Sequence, residues 1–269
     1  MNKTGTTRVT TTNGVTFITK SNDTYVSKSL EVYGEWSYGE ITFLSQLLNE
    51  SDNVVEAGAN IGAHTVFLAK ELVPNGIVFA FEPRRVLFQT LCGNLALNSL
   101  ENVHAYDLAL SDKPDAQAEG RIDFSAKLNL GGYALGDFVG NQEEIKIQKL
   151  DNLIDPKKVI ALIKADIQGY ELKLLIGSDE LIKRDRPFLY LENEDPKTSF
   201  ELISYLWKLE YDCWWDIVPL FNPNNRANTQ QNIFPNISSF NMFCAPREKR
   251  VNVDISKIVD ATSHPLSQN

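Results

Sequence analysis

Apolar residues in this chain gather into short, nearly continuous runs, each followed by a stretch with apolar positions three and four residues apart. The runs "NVVEAG", "IVFAFEP", "NVHAYDLAL", "VIALIKADI" and "PFLYLENE" read as strands. Helical spacing predicts helices over 61–72, 84–97, about 170–183 and about 197–209, with "VPNG" stopping the first. Strands apolar on both faces and separated by helices indicate a mostly parallel sheet covered on both sides, an α/β fold. "VTFITK" and "TYVSKSLEVYG" alternate and predict a strand pair, or a strand and a loop, after a loose Thr- and Asn-rich start at 1–14. "SYGEITFLSQLLNES", with Ile41, Leu44, Leu47 and Leu48 in step, predicts a helix. Residues 112–150 are less regular, with "GRIDFS" and "EEIKIQKL" as hairpin strands. "DCWWDIVPLFNPNN" and "SSFNMFCAPRE" predict an antiparallel pair completing the sheet, and the last twenty residues a poorly tied tail. The expected division is 1–50 for N-terminal strands and a helical lid, 51–248 for the sheet domain and 249–269 for the tail.

Composition narrows the function without choosing it. Of the 269 residues 43% are apolar, enough for a core, yet no run of 18 apolar residues suits a membrane span. The polar N-terminus lacks a signal-peptide core, so a cytoplasmic location is expected. A net charge of −9 without a Lys/Arg block argues against nucleic acid as the partner. Cys92, Cys213 and Cys244 are too dispersed for a disulfide framework or a CxxC site, and His64, His104 and His264 do not pair into a metal site.

Ligands of such sheets bind beyond the carboxyl ends of the strands, which here are Glu56, Glu82, Asp166 and Glu192. Gly58 and Gly62 frame a strand-to-helix turn where backbone can approach a ligand. Glu82 is placed to accept both hydroxyls of a ribose, a need shared by dinucleotide and adenosyl cofactors. Glu56 separates the two: it would repel a pyrophosphate but suits a ligand carrying an ammonium and a sulfonium. S-adenosylmethionine has that pattern, and its carboxylate would face the N–H groups from Ala63 to Thr65. Asn60 also stands where a dinucleotide fingerprint has its second glycine, which weakens the rival reading of a dinucleotide-dependent oxidoreductase.

"VVEAGANIGAHT", "VFAFEP", "LALSD", "LIKADIQGYE" and "LYLENE", in this order, resemble the FkbM family of S-adenosylmethionine-dependent methyltransferases, over roughly residues 33–245. The resemblance implies a class I methyltransferase (Rossmann-like) fold. It implies methyl transfer to a hydroxyl of a small-molecule or glycan acceptor: a sugar, a glycolipid or a natural product. It also implies that Gly58, Asn60 and Gly62 line the cofactor, that Glu82 holds its ribose, and that backbone at Ala109 and Leu110 meets the adenine. Three positions depart from the family pattern: Glu56 for Asp, Ala165 for a bulky aliphatic, and Gln168 for Glu. A neutral amide cannot take a proton as a carboxylate does, so no catalytic role is carried onto Gln168, and a catalytically silent cofactor-binding module stays open.

A hydroxyl acceptor needs a base or a metal. Asp166, Glu192 and Asn193 are the candidates, either as a metal-free base and hydrogen-bonding set or as oxygen ligands of Mg²⁺ or another divalent cation. Lys164 shares a strand face with Asp166 by the period of two, reading as an ion pair or as a tuner of that base. Trp36 and Asn241 are candidate substrate contacts, against core packing and a structural amide bond. Glu35 closes over the methionine end of the cofactor if the N-terminal helix is a lid; otherwise it caps that helix. His64 reads as a hydrogen-bonded packing residue in preference to a substrate contact, and Asn224, Asn225 and Arg226 as solvent-facing loop in preference to substrate contacts.

Overall fold

The computed structural model describes residues 7–119, 127, 129, 131–134, 136–137 and 143–267. The chain opens with an antiparallel hairpin, β1 (Thr7–Thr12) and β2 (Val15–Lys20), then helices α1 (Val26–Tyr33) and α2 (Tyr38–Leu44). The alternating part runs β3 (Asn53–Ala57), α3 (Thr65–Phe67, continued by a π-helical turn at Leu68–Leu72), β4 (Val78–Phe81), α4 (Arg85–Leu97) and β5 (Val103–Tyr106). An excursion through β6 (Ala109–Leu110), β7 (Asp115–Glu119) and β8 (Glu143–Gln148) makes a separate three-stranded sheet. Alternation resumes with β9 (Ile160–Ala165), α5 (Glu171–Ile176), α6 (Asp179–Asp185), β10 (Phe188–Glu192) and α7 (Pro196–Lys208). The antiparallel β11 (Tyr211–Pro219), β12 (Ser238–Pro246) and β13 (Ser256–Lys257) close the sheet.

The main sheet has the order β13-β11-β12-β10-β9-β3-β4-β5, with β5, β4, β3, β9 and β10 parallel. Chain direction along the sheet reverses between β3 and β9, and a cleft opens at such a switch point. The period of two splits the core: Val54, Ala80, Leu162 and Tyr190 pack on one face, and Val55, Phe81, Ile163 and Leu191 on the other. No helix of the described residues is long and apolar enough to cross a membrane.

Several boundaries differ from the sequence reading. Residues 7–12 are not loose but form β1, because Asn13 (φ 49°) and Gly14 (φ 76°) make the left-handed turn that an Asn-Gly pair favours. "TYVSKSLEVYG" is helical: Asp23 accepts from the backbone N–H of Ser27 at 2.6 Å, and Val26, Leu30 and Tyr33 are buried along one helical stripe. "NVHAYDLAL" divides into β5 and β6, which belong to different sheets. The helix expected over 170–183 breaks at Gly177, where a Cβ would lie 2.0 Å from the Ser111 carbonyl oxygen. "GRIDFS" lies outside the described residues. The final segment is tied down: β13 pairs with β11, and buried His264 hydrogen-bonds the Asn193 carbonyl at 2.9 Å.

Two asparagines fasten the N-terminal hairpin to the sheet domain. Asn94 accepts from Ile18 N at 2.5 Å and donates to Ile18 O at 3.3 Å, while Asn98 does the same for Thr16 at 3.0 and 2.7 Å. Four residues of helix advance about 6 Å, close to the roughly 6.7 Å between alternate residues of a strand, so α4 imitates a neighbouring strand for β2. Asn94 also donates to the Ile61 carbonyl at 2.6 Å and is fully buried. Asn94→Ala leaves three backbone groups without this partner and is expected to cost about 2–3 kcal/mol, read as a lower urea midpoint with unchanged slope. Asn98→Ala, at a half-buried position, is expected to cost less.

Candidate active site

A cavity of about 300 Å³ opens over the carboxyl ends of β3, β4, β9 and β10. Its lining includes ten of the residues anticipated from sequence: Trp36, Glu56, Gly58, Asn60, Glu82, Ala109, Leu110, Lys164, Asp166 and Glu192. The floor is a tight turn. Gly58 has φ +84°, and a Cβ there would stand 1.9 Å from the carbonyl oxygen of Asp166, so only glycine lets the ends of β3 and β9 meet. Asn60, at φ 52°, turns the chain back, and its backbone N–H donates to Glu82 at 2.9 Å. The second oxygen of Glu82 accepts from Arg84 N at 2.9 Å. The Arg84 guanidinium in turn holds the carbonyls of Tyr133 and Ala134 at 2.8 and 2.6 Å, drawing that segment over the cavity.

Charge at the switch point is organised around Lys164. Register places it between Glu56 and Tyr190, and its ammonium pairs with Glu40 of α2 at 3.3 Å, both side chains at most 4% exposed. Burial works against the Lys164 charge, but Glu40, Asp166 and Glu56 together hold its pKa above the ordinary lysine range. Burial likewise opposes the Glu40 charge; Lys164, then His64, outweigh it and hold that carboxyl below its usual value. His64 is depressed by burial and by Lys164, and its Nε2 lies 2.9 Å from the Trp36 carbonyl. A carbonyl only accepts, so the neutral ring carries its proton on Nε2. Glu56 accepts from the Thr65 hydroxyl at 2.6 Å, yet burial pushes it up to about 7, and burial does the same to Glu82.

At the other end Gln168, at φ 52°, directs its amide nitrogen to Asp166 at 3.2 Å and Glu192 at 2.7 Å. Burial first, then the charges of Asp166, Glu171 and Glu194, hold Glu192 well above the usual carboxylate range.

Five anticipated residues do not line the cavity. Glu35 is buried but accepts from Asn222 and from Arg226 N, both at 2.9 Å, pinning the loop after β11 instead of facing a ligand. Gly62 packs against Leu91, and Thr65 reaches the site only through Glu56. Asn193 turns away, donating to Ser199 at 2.9 Å and to the sulfur of Met242 at 3.2 Å. Asn241 donates to Ser239 at 2.9 Å, the structural amide bond. With Asn193 withdrawn the three-oxygen metal set is not assembled, and among the described residues no group of three or more His, Cys, Asp or Glu is arranged to hold a metal. Arg226 is no free loop residue either: it pairs with Glu71 at 2.9 Å and lies over the rings of Tyr38 and Phe67.

Sequence reasoning missed Glu40 and Arg84. Glu40 is four residues before Leu44 on the apolar stripe of α2, and a carboxylate on a buried stripe was the available signal. Arg84 gave none, because its partners are carbonyls about fifty residues away. Lys164→Met removes the ammonium that faces both Glu40 and Glu56. Breaking such a buried pair is expected to cost about 3–5 kcal/mol, measured by denaturant unfolding, and Glu40→Gln in the same background should recover part of the loss.

Residues 56–213, more than half of the chain, match the family model of the methyltransferase FkbM domain. Methyltransferase 1 of Beauveria bassiana (strain ARSEF 2860) is 25% identical over 146 residues, covering 47% of this chain and 58% of that protein. Methyltransferase sdnD of Sordaria araneosa is 27% identical over 157 residues, covering 47% and 60%. The chain therefore spans about six-tenths of the length of these relatives. Among solved structures, an FkbM methyltransferase from Methylobacillus flagellatus KT superposes with a TM-score of 0.53 at 19% identity, covering 82% of this chain and 55% of that one, a likeness of fold. Strand order, the glycine turn at the switch point and the matched segment agree: the chain belongs to the FkbM methyltransferase family and has the class I methyltransferase fold.

Proposed function

We propose that the cavity binds S-adenosylmethionine and that the protein transfers its methyl group to a hydroxyl of a small-molecule or glycan acceptor, a sugar, glycolipid or natural product, with Asp166 as the base. The observation that carries this reading is the pair of buried carboxyls, Glu56 and Glu82, at adjacent strand ends on either side of the Gly58 turn, in one cavity with Asp166. Glu82 uses one lone pair on each oxygen for backbone N–H groups and keeps others for two ribose hydroxyls. Phe81, Pro83, Ala109 and Leu110 form an apolar end suited to adenine. Glu56 suits an ammonium, since Lys164 is already satisfied by Glu40.

When bound, the cofactor supplies an electrophilic methyl carbon. The protein's part is to hold the acceptor in line and to take its proton. Asp166 is fixed for this by its backbone N–H, which donates to Ala57 O at 3.1 Å and sets the residue beside the cofactor turn. Trp36, Tyr25 and Tyr170 wall the same cavity and offer ring faces to an acceptor. A divalent cation does not fit the donors here: Asn193 faces elsewhere and the Gln168 amide nitrogen lies against both remaining carboxyls. No step is assigned to a metal.

Two outcomes follow. Calorimetric titration should detect S-adenosylmethionine and S-adenosylhomocysteine but not NADH; binding of NADH alone would sink the proposal. Asp166→Ala should bind S-adenosylhomocysteine as wild type does and lose turnover on any acceptor the wild type methylates, by about 10²–10⁴-fold, whereas unchanged turnover removes Asp166 from the mechanism.

The pH dependence has a definite sign. A carboxyl whose folded value is raised from 4.5 to about 7, as for Glu56, Glu82 and Glu171, stabilises the fold below pH 4.5 and loses that contribution as pH rises through 7. The ligand-free protein should therefore lose thermal stability between pH 4.5 and 7. S-adenosylmethionine, which needs Glu56 ionised, should raise the melting temperature more at pH 8 than at pH 6, and Glu56→Gln should remove that difference.

A further inference from the structure

We infer that Gln168 is a positioning residue whose amide group takes the place a bridging cation would hold between Asp166 and Glu192. The inference rests on the methyltransferase reading for the use of Asp166, but its geometry stands by itself. An amide NH₂ has two hydrogens, and here the same nitrogen lies 3.2 Å from Asp166 Oδ1 and 2.7 Å from Glu192 Oε2. Both donors are spent on the two carboxyl groups, which fixes their spacing and turns one oxygen of each toward the other's side of the cavity floor.

The backbone is built to deliver that nitrogen. Gln168 sits at φ 52° and Gly169 at φ 88°, an uncommon left-handed pair for a chain leaving a strand. The preceding Ile167 N–H is anchored on Glu171 at 3.0 Å, so the turn is held from its far end by the first residue of α5. On the near side, Asp166 is locked to β3 through Ala57 O, and the Gly58 turn presses on its carbonyl. Gln168 thus closes a three-residue clasp, Asp166–Gln168–Glu192, whose two carboxyl members line the cavity together with Gln168 itself.

The donor count explains why the clasp is an amide and not an ion. A hard divalent cation requires about six oxygen ligands, several of them from the protein. Asn193, the third residue of that set in sequence, does not line the cavity, and its amide nitrogen donates to Ser199 and Met242. Gln168 places a nitrogen donor where a further oxygen ligand would be needed. The Gln168 amide hydrogen-bonds both carboxyls, and Asp166 also feels the charge of Lys164.

The test uses Mn²⁺ as the probe, followed by its electron paramagnetic resonance signal, and S-adenosylhomocysteine calorimetry as an independent control. Wild type and Asp166→Asn should bind Mn²⁺ equally weakly. Gln168→Glu, which exchanges the donor for a third carboxylate, should bind it at least about tenfold more tightly, and adding Glu192→Gln should abolish the gain. All four proteins should bind S-adenosylhomocysteine within about twofold of one another. Mn²⁺ binding by wild type that Asp166→Asn removes would overturn the inference, as would Gln168→Glu binding no better than wild type. Should Gln168→Glu fail to bind S-adenosylhomocysteine, Gln168→Asp is read in its place. Failure of wild type to bind S-adenosylhomocysteine strikes the methyltransferase reading and leaves the Mn²⁺ comparison intact.

Discussion

A single ammonium buried at the switch point of the sheet sets the terms for the cavity above it. Lys164 cannot lie at the end of β9 without anionic neighbours, and the structure provides them from three directions: Glu40 from α2, Glu56 across the β3 register and Asp166 two residues on. Of these three, Glu40 contacts it as an ion pair. That pairing brings the N-terminal helix onto the sheet, and it leaves Glu56 buried with a hydroxyl for company, close to its own neutralisation point. A carboxyl so placed is poorly satisfied until a cation arrives, which is the place the proposed function gives to the ammonium of S-adenosylmethionine.

The same economy governs the rest of the site. His64 ties the Trp36 carbonyl to the start of α3, Glu35 ties the loop after β11 to the N-terminal segment, and Arg84 draws the Tyr133 carbonyl inward. Each uses one charged or polar side chain on main-chain groups of an irregular segment. Loops that lack a ladder of their own acquire fixed positions around the cavity in this way. Gln168 does for Asp166 and Glu192 what these residues do for backbone.

Much of this was legible in the sequence, and the limits have physical causes. Strand runs such as "VVEA" and "LYLE" are buried on both faces, so their hydropathy alone marks them, and their final residues face the ligand cleft by topology. Glu56, Glu82 and Asp166 were therefore findable from pattern, as was the shared face of Lys164 and Asp166. Where Asn193 and Asn241 point was not legible, because a local partner, Ser199 or Ser239, takes each amide nitrogen; for Asn241 this is the structural bond that stood as one of its two readings. The Lys164–Glu40 pair joins residues more than a hundred positions apart and has no local signature. In "TYVSKSLEVYG" alternation masked a helical stripe whose first turn is tied to Asp23, upstream of the segment, through the Ser27 N–H. Acceptor identity was invisible for a related reason: the walls of that half of the cavity come from separate segments whose order in the chain carries no motif.

The most direct test of the central claim is a crystal structure of the protein with S-adenosylhomocysteine at pH 8. The account predicts the amino group of the ligand within hydrogen-bond distance of Glu56, both ribose hydroxyls on Glu82, and the sulfur facing Asp166, with the Lys164–Glu40 pair unbroken. A ligand seated elsewhere, or one that draws Lys164 away from Glu40 and leaves Glu56 without a cation, would contradict it.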